Sequence, residues 1–428
     1  MPGALLLLLA AICVSGGNAV AGTRTFTQSQ AVEYALANNG ELKALRAEME
    51  VARAAQERAV LFPNPTLELS GDTGALTGSS DESVVSIGLS QEFLTGGKRA
   101  KRLEAAERGV EAAHWQLADR ERLLALEVKT ACADLLLAQQ RLDLAKQAEE
   151  LNGRLLEMAR ERFAAGDIPE LEVNLARVEV ARSQGKRIVA ERELVPVRAR
   201  LATLLGLEPG EEAAVIAPTD EKPFTAGVAD LVTRARENRP DLKALTADLA
   251  KGGVEVELAD AERLPNVTIG LGYTHEQSVD ATGTTEKKTR DNLLGVRISI
   301  PIPVFDRNQA GIRAAQARKQ SAENRLEFAR MSVEREIEGD YARLATAEKV
   351  LDLYTTGILP QIEENLKLIQ EAFQLGEVGI LAVIEEQKKY IEVHDGYLAA
   401  LADRQTALAR LEASAGVDFQ NKTSGGAQ

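Results

Sequence analysis

Two copies of one pattern run through this chain, and that duplication constrains its fold more than any other feature. Glu41-Leu42-Lys43-Ala44-Leu45 returns as Asp241-Leu242-Lys243-Ala244-Leu245, 200 residues later, and Pro63-Asn64 returns as Pro265-Asn266, 202 residues later. Phe163-x-x-Gly166-Asp167-Ile168 then returns as Phe373-x-x-Gly376-Glu377-Val378, and Leu201 with Gly206-Leu207 as Leu411 with Gly416-Val417, both at an offset of 210. The chain is a tandem duplication. Most of the growth in offset falls between residues 64 and 95 of the first copy, which predicts a longer loop at roughly 275–291 in the second.

Each copy reads as helix, two strands, long helix, helix. From Lys98 to Ala165 the pattern is unbroken, and within it Leu124, Val128, Ala131, Leu135, Ala138, Leu142 and Ala145 are spaced alternately four and three apart, a coiled-coil seam. A helix of 68 residues extends about 100 Å, beyond any one compact domain. The counterpart covers about 307–375, and shorter helices are expected at about 29–61 and 168–206. Gly166 and Gly376 stop the long helices, and Asp167 with Glu170 matches a D-x-x-E capping box around Pro169. Both tips are expected to be helical hairpins.

Two strand hairpins lie between the helices. Val267, Ile269, Leu271 and Tyr273 alternate with Thr268, Gly270, Gly272 and Thr274, and the returning strand alternates Leu294, Val296, Ile298 and Ile300 with Gly295, Arg297 and Ser299. In the first hairpin Leu67 and Leu69 answer Val85, Ile87 and Leu89. Strands of about nine residues, apolar on one face and small or polar on the other, suit an outer-membrane barrel, although a half-buried soluble hairpin alternates in the same way. Four strands cannot close a barrel, whose minimum is about eight, and an open edge cannot sit in lipid. Chains must share one barrel. Two would supply eight strands and three twelve, and only the larger number leaves a water-filled lumen.

Composition excludes the main rivals. A formal charge of −14 leaves no basic surface for a phosphate backbone, so no nucleic acid is expected, and 4% aromatics beside 45% hydrophobic residues disfavours a globular all-β protein. His114, His275 and His394 are isolated, and no nucleophile, base and orienter stand together. Thr95-Gly96-Gly97-Lys98-Arg99 ends like a phosphate loop, but Glu92 stands where the first Gly belongs. No enzyme, cofactor or metal site is read. Residues 4–14 form an apolar run followed by Ala19-Val20-Ala21, an export signal cleaved after Ala21. No later stretch has 18 consecutive apolar residues, so any membrane residence must use strands.

Three stretches carry a resemblance: Leu61-Phe62-Pro63-Asn64-Pro65 entering the first hairpin, Gln91-Glu92-Phe93-Leu94-Thr95-Gly96-Gly97-Lys98-Arg99 leaving it, and Ile300-Pro301-Ile302-Pro303-Val304-Phe305-Asp306-Arg307-Asn308-Gln309 leaving the second. With the duplication, they make the chain similar to the TolC-type outer-membrane efflux proteins, and the Gly-Gly-Lys-Arg and Phe-Asp-Arg-Asn-Gln forms resemble the CzcC-like, heavy-metal branch. The resemblance implies a mainly α protein with membrane β, a homotrimer with a 12-stranded barrel in outer-membrane lipid and a helical barrel in the periplasm. It implies a passive duct for divalent metal cations, docked by a periplasmic adaptor and an inner-membrane transporter of the resistance-nodulation-division type. The alternatives are a duct for drug efflux or type I secretion and, more distantly, a soluble periplasmic coiled-coil adaptor.

On that reading the chain divides into the signal 1–21, a first repeat 22–207 (hairpin 65–93, tip 163–170), a linker 208–228 with Pro209, Pro218 and Pro223, a second repeat 229–417 (hairpin 266–301, tip 373–380) and a disordered tail 418–428. The resemblance places adaptor docking at Gly166, Asp167, Ile168, Gly376, Glu377 and Val378. It places a periplasmic gate at Glu377, Glu385 and Glu386, where carboxylates ringed about a threefold axis would raise one another's pKa. Local roles compete: Gly stops a helix, a carboxylate caps one, and Lys388 and Lys389 stand one turn from the gate acids.

Overall fold

A computed structural model describes residues 22–217, 224–282, 285–417 and 419. The expected signal, Cys13, Pro218, Pro223 and, apart from Phe419, the tail lie outside the described residues. In chain order the elements are β1 (Thr23–Phe26), α1 (Gln28–Asn38), α2 (Gly40–Val60), β2 (Thr66–Thr73), β3 (Ser83–Phe93), α3 (Lys98–Ala165), α4 (Glu170–Leu205), β4 (Glu212–Val215), α5 (Val228–Asn238), α6 (Pro240–Ala261), β5 (Val267–Thr282), β6 (Thr285–Ser299), α7 (Gln309–Leu353), α8 (Leu359–Gln374) and α9 (Ile380–Ala415). The chain forms two compact units, one from residues 1–40, 124–225 and 342–410, the other from 41–123, 226–341 and 411–428.

The second of these units holds the sheet. Its four strands run in the order β2-β3-β5-β6, antiparallel throughout, with Leu67 opposite Leu89, Leu89 opposite Leu271, and Leu271 opposite Val296. One face therefore presents a continuous apolar field whose members stay exposed, Leu69 at 70% and Val296 at 69%. Residues 275–282 and 285–291, expected as a loop, extend β5 and β6 instead. At the foot of the sheet Lys98, 4% exposed, donates to Leu264 O at 2.5 Å and Asn266 Oδ1 at 2.6 Å. Asn266 Nδ2 donates to Glu92 Oε1 at 2.6 Å, and Thr95 Oγ1 to Pro265 O at 2.5 Å. The Gly-Gly-Lys stretch thus clamps the exit of the first hairpin to the entry of the second. Around α6 and α7 the packing side chains are small, Ala244, Ala247, Ala259 and Ala315 among them.

In the other unit β1 and β4 form a parallel pair, Thr23 opposite Glu212 and Phe26 opposite Val215, so part of the linker is structured. The helix expected at 29–61 is broken at Asn39, whose backbone is extended (ψ 129°) and whose Nδ2 donates to Leu204 O at 2.9 Å. A side chain answering another element's orphan carbonyl outweighs one more helical residue. Leu124, Val128, Ala131 and Leu135 of the coiled-coil seam are fully buried, whereas Ala138, Leu142 and Ala145 are half-buried, because the buried stripe moves to Leu144, Ala148 and Leu155.

The counterpart of α3 is not continuous. A π-helix at Tyr354–Ile358 joins α7 to α8, with Leu359 N–H donating to Tyr354 O five residues back. Pro360 brings no N–H to the next turn. The Thr355 and Thr356 hydroxyls donate back to the Leu351 and Asp352 carbonyls. The Tyr354 ring lies so close to Gly396 of α9 that a Cβ there would stand 2.3 Å from its hydroxyl.

Candidate functional site

The two helical tips lie in the unit built around residues 124–225 and 342–410. At the first, Gly166 N donates to Phe163 O at 3.0 Å and Asp167 N to Arg162 O at 2.9 Å; at the second, Gly376 N donates to Phe373 O at 3.1 Å and Glu377 N to Ala372 O at 2.9 Å. Both are Schellman closures with a glycine in the left-handed region, φ 85° and 80°, where a side chain would be strained. The capping box expected from Asp167 and Glu170 does not form. α4 starts at Glu170 with Pro169 as its N-cap, whose side chain has no acceptor, and the Asp167 N–H that Glu170 would have accepted in the box closes α3 on Arg162 O instead.

The predicted docking residues separate by burial. Gly166, Asp167, Gly376 and Glu377 are exposed, Val378 is half-buried, and Ile168 is 8% exposed in a core with Leu155, Ala159, Val173, Phe373, Ile380 and Val383. Ile168 shapes the tip from beneath. Two residues that sequence reasoning missed tie the tips together. Arg162 donates from Nη1 to Phe373 O at 2.8 Å with its guanidinium 4.9 Å from the Phe373 ring centroid, and Glu172 Oε2 accepts from Ile380 N at 3.3 Å. Their signal was a break in the repeat, since at the offset of 210 Arg162 corresponds to Ala372 and Glu172 to Ala382.

The gate candidates are not brought together within one chain. Glu377 is exposed and forms no ion pair among the described residues, Glu385 lies 3.5 Å from Lys388, and Glu386 lies 3.1 Å from Lys389. Lys388 also reaches Glu179 of α4 at 3.2 Å. Behind them α3, α4 and α9 enclose a groove of about 920 Å³ lined by Asn152, Lys186, Gln387 and Glu392, with the Arg141–Asp395 ion pair at 2.7 Å on its wall. Cys132 is buried and burial pushes its thiol up to about 12, so it is an inert packing residue. No cluster of three or more metal-ligating side chains occurs among the described residues, and no described helix is long and apolar enough to cross a membrane.

The sheet supplies a membrane surface of the other kind. Its apolar face is a row of Leu, Ile and Val on every strand, while Ser86 Oγ and Thr274 Oγ1 meet at 3.0 Å on the opposite face. The profile of the outer membrane efflux protein family matches twice, at residues 31–207 and 231–417. The chain belongs to that family. As an outer membrane efflux protein it is a duct in the outer membrane with a helical periplasmic part, and the family is not one of enzymes. It is similar to the cobalt-zinc-cadmium resistance protein CzcC of Cupriavidus metallidurans, 26% identical over 387 residues covering 90% of this chain and 89% of the relative. It is also similar to the nickel-cobalt-cadmium resistance protein NccC of Alcaligenes xylosoxydans xylosoxydans, 27% identical over 354 residues, covering 81% and 75%. Its fold matches a crystal structure of CusC with a TM-score of 0.75 at 18% identity, covering 92% of each chain.

Proposed function

We propose that this outer membrane efflux protein is the exit duct of a tripartite pump for divalent heavy-metal cations, assembled as a homotrimer with a 12-stranded barrel. The observation that carries the assembly is the four-stranded sheet, apolar on one face and open at both edges, which lipid cannot tolerate until further copies close it. The cargo reading rests on the metal-resistance names of the relatives above and on the Gly-Gly-Lys-Arg and Phe-Asp-Arg-Asn-Gln forms. Gly166, Asp167, Gly376 and Glu377 then form the surface offered to a periplasmic adaptor, with Ile168 and Val378 setting its shape, and an inner-membrane transporter of the resistance-nodulation-division type drives the cation in. Glu377, which has no cation partner among the described residues, is the leading gate acid, with Glu385 and Glu386 behind it.

The test is expression in a Gram-negative host followed by isolation of outer membranes. A heat-modifiable trimer that conducts in a planar bilayer and restores zinc, cobalt or cadmium resistance to a strain lacking its own duct is the expected result. Restoration of drug efflux or of type I secretion instead would move the cargo reading to those alternatives. A soluble, non-conducting product would overturn the duct. Glu377→Ala should alter voltage response and cation block, and unchanged conductance in both would remove it from the gate.

A further inference from the structure

Closure of the sheet by further copies demands a register at the new seam, and the internal duplication supplies one. Thr66-Leu67-Glu68-Leu69-Ser70 of β2 corresponds to Thr268-Ile269-Gly270-Leu271-Gly272 of β5 at the offset of 202. Thr66 faces Ser90 and Thr268 faces Ser299, so Ile87-Gly88-Leu89-Ser90 of β3 corresponds to Val296-Arg297-Ile298-Ser299 of β6. Within one chain β3 and β5 pair with Ser90 opposite Gly270 and Gly88 opposite Gly272. Translated by the repeat, β6 of one copy pairs antiparallel with β2 of the next, Ser299 opposite Glu68, Ile298 opposite Leu69, and Arg297 opposite Ser70.

Two independent checks agree. The first is facial: Ile298 meets Leu69 on the apolar face, whereas a one-residue slip would set apolar against polar along the whole seam. The second is geometric. Thr66 faces Ser90, Ser90 faces Gly270, Gly270 faces Arg297, and Arg297 then faces Ser70, so one circuit of a chain advances four residues over four strands. With about 3.3 Å rise per residue and about 4.8 Å between strands, that stagger tilts the strands by about 35°, the lower end of the range for outer-membrane barrels.

The same translation shows where charge appears. On the lumen face the internal seam is neutral around its glycines: Gly88 lies opposite Gly272, flanked diagonally by Gly270 and Thr274, and the carboxylates of the seam, Glu92 and Glu276, stand four residues from that pair. At the free edges the corresponding residues are Arg297, Ser70, Glu68 and Asp72. Ser90 Oγ donates to Glu68 Oε1 at 3.5 Å, which places Glu68 on the lumen face, and a Cβ on Gly270 would lie 3.9 Å from that of Arg297, which places Arg297 there too. Arg297 has no carboxylate partner among the described residues of its own chain. We infer that the edges of the sheet join to a second copy of this chain in this register, with Arg297 of β6 seated between Glu68 and Asp72 of the neighbouring β2. Diagonal cross-strand neighbours lie about 7–8 Å apart at the backbone, within reach of arginine. The inference rests on the trimeric-barrel reading and adds to it the register and the ion cluster.

Cysteine pairs test it in a Cys132→Ala background. Leu69→Cys with Ile298→Cys should form an interchain disulfide in outer membranes, because directly opposite strand positions have the required Cα separation. Leu67→Cys or Gly71→Cys with Ile298→Cys, displaced by two residues, should not. A trimer that cross-links preferentially through either displaced pair overturns the register and leaves the duct standing. Failure of the parent protein to form any heat-modifiable oligomer overturns the duct and the inference with it. For the cluster, Arg297→Glu should lower the temperature at which the trimer dissociates in SDS, Arg297→Lys should nearly keep it, and Arg297→Glu with Glu68→Arg and Asp72→Arg should recover it. An Arg297→Glu trimer as resistant as the parent would overturn the ion cluster.

Discussion

The two repeats place the same residue types at corresponding positions and give them different work. Phe163 is 45% exposed on the first tip, whereas Phe373 is fully buried beneath the guanidinium of Arg162. Gly88 lies in a seam closed within the chain, and its counterpart Arg297 stands on an open edge. Glu92 belongs to the buried Lys98–Asn266 clamp, and its counterpart Pro301 cannot. α3 runs unbroken over 68 residues, and its counterpart is interrupted by a π-helix. Duplication supplies a framework that pairs with itself, and the asymmetries mark the places where one copy braces the other or waits for a neighbour.

The sharpest way to break this comparison is at the tips. Phe373→Ala should cost about 3–5 kcal/mol by emptying the core of the tip, and Phe163→Ala less than about 1 kcal/mol, read by hydrogen exchange across residues 155–180 and 369–384. Equal losses would mean that the two tips are equivalent after all. Next is the clamp. Lys98→Ala removes a buried ammonium, leaves Leu264 O without its donor and Asn266 Oδ1 with only the Thr95 N–H at 3.5 Å, and should cost about 3 kcal/mol, seen as lower outer-membrane yield and earlier thermal dissociation. At the offset of 209 that pairs Glu92 with Pro301, Lys98 corresponds to Arg307, which is exposed, and Arg307→Ala should be close to silent.

The interrupted helix gives a smaller effect. Gly396→Ala should destabilise by about 1–3 kcal/mol through collision with Tyr354, and Tyr354→Leu in the same chain should recover most of it in a helix-melting experiment. The corresponding positions in the first repeat hold Leu144 and Lys186, so the tyrosine–glycine pair belongs to the second repeat alone.

The smallest expected effect is a pH dependence. His394 of α9 stacks on Tyr390 at 4.3 Å with its Nε2 buried and 3.8 Å from Glu363 of α8. Burial draws the imidazole below its ordinary pKa, with the Glu363 carboxylate pulling the other way. An unfolded chain therefore takes up a proton, as pH falls through the ordinary histidine value of about 6.5, that the folded chain resists. Stability from this site is full above that pH and declines as pH falls toward the folded value. The melting temperature in detergent should drop between about pH 7 and 5.5, and His394→Gln should flatten that drop. An unaltered slope would assign it elsewhere.

Much of this architecture was legible in the chain because it follows from periodicity. The heptad spacing from Leu124 set the long helix, Gly166 and Gly376 set its ends, and alternation from Val267 and from Leu294 set the strands and their apolar face. Local patterns of this sort are decided by backbone geometry and burial of one face, which neighbouring residues encode. Elsewhere local pattern misled. The D-x-x-E motif at Asp167 looked like a cap and closed the preceding helix instead, the loop expected at 275–291 became strand, and Asn39 broke a helix to satisfy Leu204 O.

Spacings along the chain encode the duplication, the helix and strand order, the apolar sheet face and the family resemblance. Three-dimensional packing selects which copy of a repeated residue is buried, which lysine is clamped, that Arg162 and Glu172 join the two tips, and that β3 pairs with β5 in a register that can be carried to the open edges. Those outcomes depend on partners up to about 210 residues away, and no local pattern encodes which of two like side chains such a partner will meet.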